Sequence, residues 1–303
     1  MPGNLSAIFG SSLDGESEQP SFIAKVILWI SAIVSVVLMS WLARAFAIPG
    51  EPGFSASLLQ QDAWLVSLLV VVVGMVAVML VSAVLSSSLR SEAPVFCTAL
   101  ACAVISWRGG TMQATLFAAS GPGIFVTLAL ETAILFAALI GAWQLLQRAR
   151  GRPAADPAVN IVAELDDEED QEGLDEKLLA MFTQASVMMA LMILLCRSDA
   201  KTQSLASVGF SSAVAAAVAV QLVKVRSAFW LWIGPLAVAV FGYAFASIHG
   251  EGWQVGVLHG PLAALARPLP LDYVSMGPAG AILGYWMSGG GESEESARDA
   301  EPS

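Results

Sequence analysis

Leu68-Leu-Val-Val-Val-Val-Gly-Met-Val-Ala-Val-Met-Leu-Val81 lies within Ala63 to Leu89, a stretch with no charged residue between Asp62 and Arg90. An α-helix rises about 1.5 Å per residue, so about 20 such residues cross a hydrocarbon layer ~30 Å thick. This stretch is long enough by itself, and it sets the reading of the whole chain. At 56% hydrophobic residues, 13% charged residues and a mean hydropathy of +0.71, the chain departs from the roughly one-quarter charged balance of soluble domains. The fold class it predicts is an all-α polytopic membrane bundle.

Working outward from that run, apolar segments predict eight spans near 22–48, 63–86, 94–107, 124–147, 178–196, 204–223, 228–248 and 271–288. Trp253 to Ala266 is apolar but too short to cross, and reads as half of a broken helix or an interfacial piece. The predicted organisation is a polar tail 1–21, a four-span half 22–148, an acidic linker 149–177, a second four-span half 178–288 and an acidic tail 289–303.

The net charge of −11 is concentrated in the tails and the linker, whose core is Glu164-Leu-Asp-Asp-Glu-Glu-Asp-Gln-Glu-Gly173. Elsewhere bases outnumber acids, and a sequence pI near 4.6 with no basic patch argues against a nucleic-acid partner. So many like charges favour a solvated linker, with docking of a cytoplasmic protein partner through 149–177 as the alternative. Lys25, Arg90, Arg148, Arg150, Arg152, Lys177, Lys224, Arg226 and Arg298 fall on the side of the termini. Only Arg44, Arg108, Arg197, Lys201 and Arg267 fall on the other, so the positive-inside rule predicts cytoplasmic N- and C-termini in the cell or cytoplasmic membrane. Ala45-Phe-Ala47 has the form of a cleavage site, but the acidic leader and long apolar run predict a retained anchor.

Equal span numbers around the linker suggest an internal repeat. Ser106-Trp-Arg-Gly109, Gln113 and Gly121-Pro122 are echoed by Ser247-Ile-His-Gly250, Gln254 and Gly260-Pro261. Glu131 and Asp272 fall in the same register, 141 positions apart. Gly109-Gly110 and Gly121-Pro-Gly123 in one half, with Gly250 to Gly252, Gly260-Pro261 and Pro268-Leu-Pro270 in the other, should break helices, and interrupted segments at matching places in two halves are a pointer to a transporter's site.

Glu131, in Thr127-Leu-Ala-Leu-Glu-Thr-Ala, is the clearest ionisable group inside a predicted span. A carboxylate there is costly unless paired or hydrogen-bonded, so it is a candidate transport residue, with Arg108 or Arg44 as partner and Thr127 one turn away. Asp272 and His249 complete the candidate set. Ser204, Ser207 and Ser211 form one small-residue stripe, and Gly277, Gly280 and Gly284 another that fits close helix packing. Cys97, Cys102 and Cys196 with two histidines make no metal-ligand pattern, and no cofactor-binding signature is present.

Ser207-Val-Gly-Phe-Ser-Ser-Ala213 resembles the GxSG element of rhomboid intramembrane serine proteases, and Trp107-Arg108 resembles that family's outer-loop Trp-Arg pair. The resemblance implies Ser211 as nucleophile at the start of an inward-running span and His259 as base. Ser212 stands where the second Gly belongs, and the family's His and Asn pair is missing around 123–131. Two roles therefore stand beside it: handling of a small solute or ion through Glu131 and the broken helices, and assembly of a cytoplasmic partner on the linker.

Overall fold

The computed structural model describes residues 22–45, 57–61, 64–86, 89–119, 121–150, 174–198, 200–223, 225, 228–248 and 263–289. The linker core, both tails, His249 and His259 lie outside the described residues, as do the linker-docking and cleavage expectations.

The order is α1 (Phe22–Ala45), a 3-10 turn (Leu58–Gln60), α2 (Trp64–Leu85), α3 (Ala93–Arg108), α4 (Met112–Ala118) and α5 (Ile124–Ala149). After the linker come α6 (Leu174–Leu195), α7 (Lys201–Leu222), α8 (Phe229–Ile248), α9 (Ala263–Ala266) and α10 (Pro270–Met287). The described residues contain no strand, as hydrocarbon demands of a chain that must satisfy its backbone internally. Among the described residues, six helices are long and apolar enough to cross a membrane: α1, α2, α5, α6, α7 and α8. Helix α3, at 16 residues, and α10, at 18, complete the eight expected segments. The chain is a multi-pass helical membrane protein.

Helix α10 occupies the centre. It packs against α3, α5, α7 and α8, and Asp272, Tyr273, Val274, Ser275 and Tyr285 are among its many buried residues. Helix α1 lies at the edge, with Phe22, Trp29, Val37 and Trp41 exposed, an apolar surface that suits lipid rather than water. The α7–α10 seam is closed by glycine. A Cβ on Gly280 would fall inside the contact radius of the Gly209 carbonyl oxygen, and one on Gly284 inside that of Ala213, so the backbones touch.

The two halves pack alike in several respects. In the first, α1 lies on α2 and α3, and α2 on α5; in the second, α6 lies on α7 and α8, and α7 on α10. The cross-contacts exchange as well: α3 packs on α10 as α8 packs on α5, and α5 meets α10 between them. One difference is that α8 also packs on α10, whereas α3 and α5 have no comparable contact.

The expected breaks at Gly109, Gly121-Pro-Gly123 and Pro268-Leu-Pro270 fall where glycine and proline place them, and those at Gly250 to Gly252 and Gly260-Pro261 lie outside the described residues. Gly109 ends α3, Gly121-Pro-Gly123 separates α4 from α5, and Arg267-Pro-Leu269 separates α9 from α10. Pro270 begins α10, where its missing N–H costs no helical bond.

Candidate functional site: two buried carboxylates at one end of the bundle

Glu131 is the eighth residue of α5, about 10 Å along it, and is fully buried. The Ser57 hydroxyl donates to its Oε2, the Leu58 N–H to Oε1 at 3.1 Å and the Leu59 N–H to Oε2 at 3.2 Å. Both oxygens therefore cap the 3-10 turn between α1 and α2, satisfying amides that would otherwise be orphaned at a helix start. Of the expected neighbours, Arg108 is exposed at the end of α3, and the Thr127 hydroxyl turns back to the Gly123 carbonyl. The side chain of Arg44 is outside the described residues.

Ser57→Ala should therefore lower unfolding stability by about 1–3 kcal/mol, the cost of removing one partner from a buried polar group. Denaturant unfolding in detergent reads it, and a wild-type midpoint would show that the hydroxyl does not hold Glu131.

Asp272 lies in the first turn of α10 and is 1% exposed. Its Oδ2 accepts the Leu269 N–H at 2.9 Å, the reach-back that the acidic member of a capping box makes. Its Oδ1 accepts the Ser106 hydroxyl from α3 and faces the Lys201 ammonium of α7 at 2.7 Å. Lys201 opens α7, where the helix dipole disfavours a cation, and its side chain is only 13% exposed. The carboxylate offsets both penalties and ties α3, α7 and α10 together.

A tyrosine pair fixes the turn that delivers the Leu269 amide. The Tyr243 hydroxyl donates to the Pro268 carbonyl at 2.5 Å and the Tyr273 hydroxyl to the Leu265 carbonyl at 2.6 Å, with the rings edge to face at 6.2 Å. Arg267 Nη1 donates to the Cys196 carbonyl at 2.6 Å, just beyond the last turn of α6. Helix α5 packs on both α8 and α10, and Glu131 and Asp272 each accept from a backbone amide of a turn that leads into a helix, so the two acids form one polar layer.

Of the residues expected from sequence, Glu131 and Asp272 are both buried on helices that pack together, Arg108 is exposed, and His249 is not described. Lys201 and Ser106 are the additions. A signal for Lys201 existed, a lysine at the first residue of an apolar helix, but nothing in the sequence indicated which acid answers it. The described residues hold no metal-type cluster of His, Cys, Asp or Glu.

Ser211 sits ten residues into α7, which begins at Lys201, rather than at the start of a span as the protease resemblance implies. It is buried, and among the described residues its hydroxyl has no hydrogen-bond partner; His259, the base the resemblance implies, lies outside them. No protein family, curated protein or solved structure matches the chain.

Proposed function

We propose that this membrane protein handles a small ion or solute, and that Asp272 and Lys201 form its ionisable centre. The observation that carries the reading is the contact at 2.7 Å between the buried Asp272 carboxylate and the part-buried Lys201 ammonium, inside a bundle whose surface is apolar. Charges at membrane depth are expensive, and side chains that keep them generally face one another along a substrate or ion path. The broken segment between α9 and α10 supports this, because irregular backbone survives there only when buried in protein or lining a wet cavity. With the termini cytoplasmic, as the distribution of bases predicts, the polar layer lies toward the outer face.

Glu131 takes a scaffolding part in this reading. Three donors hold it in place, two of them backbone amides that no rotamer change can withdraw.

Flux of protons, sodium and potassium into proteoliposomes tests the proposal. Wild type should move at least one of them, Asp272→Asn should lose about tenfold or more of that flux, and Glu131→Gln should keep most of it per folded molecule. Such a loss corresponds to removing about 1.4 kcal/mol or more of differential stabilisation. A wild-type protein that moves none of the three, or an Asp272→Asn protein that moves as much as wild type, counts against it.

A further inference from the structure

The two acids stand in corresponding places. Each is carried by the last long helix of its half, and each faces the segment that joins the first two: Ser57 to Leu59 between α1 and α2 for Glu131, and Lys201 directly after the α6–α7 connection for Asp272. Among the described residues, the first seat is filled by neutral donors alone. The second also has neutral donors, the Ser106 hydroxyl and the Leu269 amide, one to each carboxylate oxygen, and the ammonium comes in addition.

The Glu131 seat shows that a buried carboxylate in this position can be satisfied by a hydroxyl and backbone amides. The Lys201 ammonium is therefore separable from the rest of the Asp272 seat. It arrives on a flexible four-carbon stem from the first residue of α7, it has Asp272 as its ion-pair partner among the described residues, and it retains some solvent exposure. Such an ammonium is a compact point charge with rotatable donors, equal in charge to a free monovalent cation.

The geometry points to the Asp272 seat as a binding site for one monovalent cation, a primary ammonium or an alkali ion, which Lys201 fills with its own side chain. The 2.7 Å separation is that of a direct ammonium–carboxylate contact, with one monovalent charge held against Oδ1. This deepens the reading of Asp272 and Lys201 as the ionisable centre by naming the charge and size of what the centre takes.

The experiment is cation-dependent stability of Lys201→Ala in detergent, with Lys201→Ser as a second variant, each prepared in potassium plus methylammonium and then exchanged into choline. Methylammonium, potassium or sodium at equal ionic strength should raise Tm by about 3 °C or more at tenfold saturation over choline. Wild type, whose seat is filled, and Lys201→Ala/Asp272→Asn, whose carboxylate is gone, should show no such shift. Methylammonium acting alone assigns the site to primary ammonium, and potassium or sodium acting assigns it to alkali ions. The proposal is overturned if no cation shifts either variant, if the double variant shifts equally, or if neither variant folds in any of the cations. None of these readings depends on flux, so a failed transport assay leaves the binding result to stand or fall separately.

Discussion

Lys201→Met is expected to destabilise the protein by about 3–5 kcal/mol, and Asp272→Asn by up to a similar amount, because the first leaves the buried Asp272 carboxylate and the second the part-buried Lys201 ammonium without its counter-charge. The combined variant should lose less than either single change. Bringing a charged pair out of water costs several kcal/mol per ion, so a neutral Met–Asn pair forfeits the attraction but also escapes that cost. Asp272 is 1% exposed and shares its Oδ1 between the ammonium and Ser106, which places the pair in the strongly coupled class rather than among surface ion pairs worth under about 1 kcal/mol. Denaturant unfolding of the four proteins in one detergent gives the cycle directly. If the losses simply add, the two charges do not depend on one another and the pair is not the centre of the layer.

The second large effect belongs to the α7–α10 seam. Gly280→Ala should cost about 1–3 kcal/mol, and Gly280→Leu should prevent α10 from seating, because the added atoms meet the Gly209 carbonyl and not a side chain that can swing aside. Gly141→Ala in α5 provides the contrast. Nothing lies within 4 Å of its added Cβ, so only the helix propensity term remains, and stability should rise by up to about 1 kcal/mol. Opposite signs for the same chemical change would attribute the loss at Gly280 to contact. A Gly280→Ala protein as stable as wild type would mean that the seam is looser than the backbone positions indicate.

The helices were largely legible in the sequence because hydrocarbon imposes a length, and the uncharged stretch containing Leu68 to Val81 meets it as α2. Boundaries were less so. Helix α6 begins at Leu174, ahead of the predicted 178, since Asp175 and Glu176 suit a helix N-terminus and are carried into its first turn. The breaks before α5 and α10 were written in glycine and proline. Glu131 was identifiable as a buried acid, but its partners were not, because two of them are backbone amides and an amide has no residue identity to read. Lys201 was hidden for a different reason. Its acid is 71 positions away, and only the packing of α7 on α10 brings them together.

The central position of α10 also orders events during synthesis. It leaves the ribosome after α3, α5, α7 and α8, the helices that surround it, so those four enter the bilayer around an unfilled slot. During that interval Lys201 has no Asp272 opposite it, and a lysine at the start of a span can remain near the headgroups. Arrival of α10 then inserts the counter-charge, closes the glycine seam and draws the ammonium inward in one step.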